Sequence, residues 1–213
     1  MPTPSRLTPD YRWNEAARQY IAPNGRFVKR SQVVKALESA IAGSRSEIDR
    51  LSGALANEEI SIAQWQLGMA EEIKTIHTCS AAAARGGWAQ MSQSDWGYVG
   101  SQLKEQYRYL DNFASEIESG AQKLNGNFLR RARMYADSGR GTGESMRGRM
   151  ARNAAFIEES RVLGVADHCP DCVLWAGWGW RPIGTLPKIG ASRCRTNCKC
   201  HFEYRNEAGE IFE

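Results

Sequence analysis

The sequence predicts a mainly α protein, an antiparallel helical bundle that ends in a small cysteine-rich zinc module containing a short β-hairpin. Three observations carry this expectation. Apolar residues recur at a 3-4 spacing from Val34 to Ile117, the period of amphipathic helices. Five of the six cysteines fall between Cys169 and Cys200. From Gly164 onward the helical period gives way to glycines, prolines, tryptophans and a short alternating run, the make-up of a unit too small to build its own core without a staple. The expected division is an N-terminal arm over residues 1–30, a helical body over 31–164 and the metal module over 165–213.

Residues 1–30 hold Pro2, Pro4, Pro9 and Pro23 with Tyr11, Trp13, Tyr20 and Phe27 between them. They read as an extended arm with one short helix around Trp13–Tyr20 and a turn at Pro23-Asn24-Gly25. The aromatics imply that the arm docks, on its own body or on a neighbour. Ser31 is placed as the cap of a first helix with Val34, Leu37, Ile41, Ile48, Leu51 and Leu55 on one face. Asn57-Glu58-Glu59 interrupts the stripe and Ser61 is a second cap. Ile62, Trp65, Met69, Ile73 and Ile76 repeat the spacing into the alanine-rich run that ends at Gly86-Gly87, so the first two helices should fold back on each other. A third helix starts near Ser94-Asp95, with Trp96, Val99, Leu103, Tyr107, Leu110, Phe113 and Ile117 along its stripe. A fourth, carrying Phe128, Leu129, Ala132 and Tyr135, is expected to loosen at Gly139-Arg140-Gly141-Thr142-Gly143. A further helix should then run from Ser145 to Leu163. No strand pattern is evident before residue 170. Beyond it, His201-Phe202-Glu203-Tyr204 alternates like a strand and a polar turn leads to Ile211-Phe212, a hairpin signal.

Of the 213 residues, 24% are charged, which fits an ordered chain rather than wholesale disorder. No apolar run approaches bilayer length, so no membrane partner is expected. Met1 to Arg6 lack the hydrophobic stretch of a secretory signal, which points to a cytosol where thiols stay reduced. The net charge of +4 is unevenly spread. Arg130, Arg131, Arg133, Arg140, Arg147, Arg149 and Arg152 stand against only Asp137 and Glu144, so this stretch is +5 and the rest of the chain −1. Such a run suggests a surface for nucleic acid or for an acidic protein face; the alternative is a solvated helix surface.

The cysteine pattern is the most specific signal. Cys79 stands alone in a helix and reads as a small buried apolar residue. The other five follow Cys169-x2-Cys172, a loop, then Cys194-x3-Cys198-x-Cys200. Close pairs across a loop can build the tetrahedron that Zn²⁺ prefers, and an odd number in a reducing compartment speaks against disulfides. Soft thiolates favour zinc, with iron–sulfur as the competitor. Cys169, Cys172, Cys194, Cys198 and Cys200 are therefore the candidate ligands, with one to spare. His168 and His201 flank cysteines and read as surface or hydrogen-bonding residues, with ligation as the alternative.

No catalytic apparatus is legible. Cys169-Pro170-Asp171-Cys172 comes near the deaminase signature but places its proline between the cysteines and has no upstream H-x-E. P-loop, G-x-S-x-G, HExxH and dinucleotide fingerprints are missing from the sequence.

Several segments resemble the minor head proteins of tailed bacteriophages, the head-morphogenesis group that includes the Mu F-like type. Asn24-Gly25-Arg26-Phe27-Val28 before a long helix is similar to their opening. So are Ile60-Ser61 leading to Trp65 and Met69, the Gly86-Gly87 break, Gln106-Tyr107-Arg108-Tyr109-Leu110, and Arg131-Ala132-Arg133-Met134-Tyr135-Ala136. The likeness is most specific in the tail: Cys169-Pro170-Asp171-Cys172, Pro182-Ile183-Gly184-Thr185-Leu186-Pro187, Cys194, and Asn197-Cys198-Lys199-Cys200. Mu F-like proteins often close with His-Pro-x-Cys-x-Cys, whereas Cys194 here takes roughly the histidine's place. The resemblance implies a non-enzymatic virion protein, assembled in the bacterial host cytoplasm and placed near the portal. It would contact the portal or the major capsid protein and assist head assembly or DNA packaging. A nucleic-acid-binding zinc protein is the alternative.

Overall fold

The computed structural model describes residues 11–212; Pro2, Pro4 and Pro9 of the expected arm lie outside them. Four long helices form the body: α1 (Arg30–Ala56), α2 (Ile62–Arg85), α3 (Gln93–Glu118) and α4 (Gly126–Asn153). Their starts are set by local chemistry. Ser61 Oγ accepts from Gln64 N at 3.2 Å while Gln64 Oε1 accepts from Ser61 N at 2.9 Å, and Ser92 and Asp95 repeat this reciprocal cap at α3. Each satisfies amide groups that a helix end would otherwise leave unpaired. Helix α2 stops at Gly86, whose φ of +94° suits glycine; an added Cβ there would lie 2.2 Å from Trp13 N.

The four helices enclose a core of Ile41, Ile48, Trp65, Met69, Ile73, Ile76, Phe113 and Phe128. Trp65 stacks edge-on to Phe113 with centroids 5.3 Å apart, and its indole N–H donates to Ser52 Oγ at 3.3 Å. Burying each such large side chain contributes about 1.5–3 kcal/mol.

Three expectations give way here. Over its described residues the arm does not run out as a single extended segment, and it has no helix at Trp13–Tyr20. Instead β1 (Arg12–Asn14), β2 (Gln19–Ile21) and β3 (Phe27–Val28) form an antiparallel sheet, with Trp13 opposite Tyr20 and Tyr20 opposite Val28. Trp13 and Tyr20 point inward, and the Tyr20 hydroxyl donates to Ala84 O at 2.6 Å. Second, α4 runs unbroken through Gly139, Gly141 and Gly143. Gly139 serves packing: a Cβ on it would come within 2.8 Å of Ser80 Oγ and 2.9 Å of Ile76 Cγ1. The missing side chain at Gly139 lets α4 approach the alanine-rich end of α2, and that contact outweighs the weak helix propensity of glycine there. Third, the helix expected to reach Leu163 ends at Asn153, and β4 (Glu158–Val162) follows.

Strand β4 is central to a second antiparallel sheet, ordered β5-β4-β6-β7 with β5 (Arg181–Pro182), β6 (His201–Arg205) and β7 (Ile211–Phe212). The module's sheet therefore begins at Glu158 rather than at 165. A short helix, α5 (Pro170–Ala176), lies between β4 and β5. Trp13, Tyr20, Ala83, Met150, Phe156, Leu186, Phe202, Tyr204 and Phe212 form one further core. Both sheets and the ends of α2 and α4 thus share it, and Trp13 and Tyr20 of the arm, with Tyr11 beside them, dock on the chain's own body, whereas Phe27 is exposed.

Candidate metal centre

The centre is assembled by three pieces of backbone. Cys169 sits at the N-cap of α5, and Pro170 at the first helical position fixes the turn that places Cys172 one turn further on. Cys194 precedes a 3₁₀ turn over Arg195–Asn197, Cys198 ends it, and Cys200 stands immediately before β6. Asp171 ties the first piece to the second by accepting from Arg193 N at 2.8 Å. Gly164 allows the chain after β4 to pass so close to Lys199 O that an added Cβ would lie 2.2 Å away.

All five expected cysteines meet. Cys169, Cys172 and Cys194 place their sulfurs within 4.8 Å of one another, and so do Cys172, Cys198 and Cys200. Cys172 Sγ lies 3.6 Å from Cys194 Sγ and 3.7 Å from Cys198 Sγ. A tetrahedral ion with bonds to sulfur of about 2.3 Å would set its ligands about 3.8 Å apart, so the spacing suits a metal. Ser192 Oγ stands 3.3 Å from Cys172 Sγ and 3.0 Å from Cys194 Sγ. The cluster could hold a metal ion.

Searches against protein-family models, curated proteins and solved structures found no match to this chain.

The residue that sequence reading missed is Arg161. It is buried in β4, and its Nη1 lies 3.8 Å from Cys172 Sγ and 3.6 Å from Cys198 Sγ. Nη2 donates to the carbonyls of Pro187 and Lys188, and the guanidinium packs on Trp175 and Phe202. A buried cation demands electron-rich neighbours, and the structure puts two cysteine sulfurs and two backbone carbonyls there. The protein environment shifts the thiols unevenly. At Cys169, desolvation is outweighed by the backbone N–H groups of Cys172 and Cys194 and by adjacent thiols, which bring the thiol down to about 6. Cys198 is brought down to about 7 in the same way, against desolvation, by the backbone N–H of Cys200 and by neighbouring thiols. Burial raises Cys172, and pushes Cys194 and Cys200 up to about 12. Metal binding would let the ligating thiols ionise together. Cys79, by contrast, is buried in α2 and pushed up to about 12 by burial.

Of the histidines, His168 places Nδ1 3.9 Å from Cys200 Sγ and Nε2 2.8 Å from Gly164 O. His201 is half-buried on β6, and burial and Arg30 lower its pKa.

The arginine stretch does not form an open basic surface. Arg131 pairs with Glu116 and lies over Phe113, and Arg133 grips Asp49 with two bonds of 2.7 Å. Arg140 is buried between Glu38 and Asp137. Arg147 is buried against Glu144 and Phe202 O, and Arg149 faces Asp95 and Ser94. Arg130 and Arg152 are exposed, bonded to Asn127 and to the carbonyl of Ile183. Most of the run therefore welds α4 to its neighbours. Among the described residues no helix is long and apolar enough to cross a membrane.

Proposed function

We propose that this protein is a structural component of a tailed-phage head, of the minor head or head-morphogenesis type, and that its cysteine module is a structural zinc centre. One observation carries the reading. The tail segments that give the most specific sequence resemblance fold together as a single unit: Cys169–Cys172 on α5, Pro182–Pro187 along β5 and its loop, and Cys194–Cys200 before β6. Leu186 is buried in the shared core and Pro187 O receives Arg161, so the whole motif serves one centre. Thiolate ligands walled by Arg161, Trp175 and Phe202 suit a structural zinc site.

The metal links three elements that are otherwise short, and the shared core passes its rigidity to the helical body. Around it, Val165, Val173, Leu174 and Trp178 are exposed apolar residues, a surface that suits contact with the portal or major capsid protein. The partner face is read as protein rather than DNA, because most of the arginines that would track phosphate are held by carboxylates of the chain itself. The test is coexpression with the portal, scaffold and major capsid proteins of the same phage, followed by purification of heads by sedimentation. The protein is expected in the head fraction. Heads that assemble fully without it, with the protein remaining at the top of the gradient, would overturn the assignment.

A further inference from the structure

The five sulfurs do not surround a single point. They fall into two triads, Cys169–Cys172–Cys194 and Cys172–Cys198–Cys200, which have Cys172 in common. Cys172 is fully buried between them, with one member of each triad at 3.6 and 3.7 Å. Each triad has a further donor at its open corner. Beside the first is Ser192 Oγ, on a residue only 3% exposed, close to both Cys172 and Cys194. Beside the second is His168. Its Nε2 bonds to Gly164 O, and a carbonyl can only accept, so the proton resides on Nε2 and the Nδ1 lone pair faces Cys200. That is the tautomer a metal-binding histidine needs, with the outer nitrogen fixed by a backbone carbonyl.

We infer that the module holds two divalent metal ions joined by the Cys172 sulfur. The inference rests on the metal-centre reading above and deepens it. One ion is bound by Cys169, Cys172 and Cys194, with Ser192 Oγ at its fourth corner. The other is bound by Cys172, Cys198, Cys200 and Nδ1 of His168. The charge balance agrees. Two divalent cations and five thiolates sum to −1, and the buried Arg161 guanidinium, which touches Cys172 and Cys198, brings the enclosed group to zero. One ion with four thiolates would leave the fifth cysteine without a role and the site unbalanced. Two ions give every thiol in the cluster, and His168, a position.

The test uses the full-length protein reconstituted with zinc and, separately, with cadmium. Elemental analysis should find two ions per chain, and NMR of the cadmium form should give two metal resonances coupled to each other through the shared sulfur. His168→Gln should lower the stoichiometry to one by emptying the second position, and Cys194→Ser should do so by emptying the first. The coupling is read on the unaltered protein, so it stands even if a variant fails to fold. One ion per chain with a single resonance would overturn the paired centre and leave the metal reading intact. A protein that binds no metal would overturn both.

Discussion

Lowering the pH should destabilise this protein through one buried histidine. His77 lies in α2, only 2% exposed, with Nδ1 2.7 Å from Thr142 Oγ1 and Nε2 2.9 Å from Ser138 Oγ, both on α4. Burial lowers its pKa from 6.5 to about 4. The unfolded chain takes up its proton as the pH falls through 6.5, while the folded protein resists until about 4. The cost is therefore absent above pH 6.5 and grows steadily below it. At 1.36 kcal/mol per tenfold difference in proton affinity, it reaches about 2 kcal/mol at pH 5 and about 3 kcal/mol near pH 4. For a chain of this size 1 kcal/mol moves Tm by about 2–4 °C, so the His77 share of the Tm loss from pH 7.5 to 5 is about 4–8 °C. His77→Gln can bond to the same hydroxyls and cannot titrate. Calorimetry of the two proteins across this range isolates the effect, because loss of metal and titration of His201 occur in both. Parallel Tm curves for wild type and variant, or a His77 NMR signal that titrates near 6.5 in the folded protein, would refute the reasoning.

The arginines of α4 should separate sharply by partner. Arg147→Met strands Glu144 with Arg30 alone beside β6 and should cost on the order of 3 kcal/mol by denaturant titration, whereas Arg130→Glu and Arg152→Glu should stay within about 0.5 kcal/mol of wild type. Removing metal with a strong chelator should open the module while most helical signal persists. Mass-detected thiol labelling should then find the five clustered cysteines modified and Cys79 protected, and hydrogen exchange should rise in β1 and β2, which share the module's core. Labelling of Cys79 together with the others would mean that the helical body had unfolded too.

How much of this was legible in the sequence depended on where each residue finds its partner. Helices α1 to α3 could be read because their signals are local: an apolar stripe, a cap such as Ser61, a stop at Gly86. The cysteine cluster was equally plain, since two close sets across a loop already imply a common ligand. Strand β4 was not. Glu158-Glu159-Ser160-Arg161-Val162 turns Glu159 and Arg161 inward, so the alternation that marks a half-buried strand carried charges where apolar residues are expected. Those charges are tolerable only because of distant groups. Glu159 Oε1 accepts from Leu186 N at 2.8 Å, and Arg161 meets sulfurs that come from α5 and the loop before β6.

The same reason explains the arginine run and the glycines of α4. A count along the chain registers Arg133, Arg140 and Arg149 as surplus positive charge, yet Asp49, Glu38 and Asp95 lie on α1 and α3, between 54 and 102 residues away. Gly139 looks like a helix break until Ser80 and Ile76 of α2 stand against it. In each case the sequence shows a local defect, and the fold shows the long-range contact for which the defect makes room. The centre follows this logic too. Arg161 in a strand and an odd fifth cysteine are anomalies when taken singly, and in the proposed paired centre each balances the other. Buried charge without a local partner thus marks the places where this chain is held together over long sequence distances, at the α1–α4 contact of Arg140 as at Arg161.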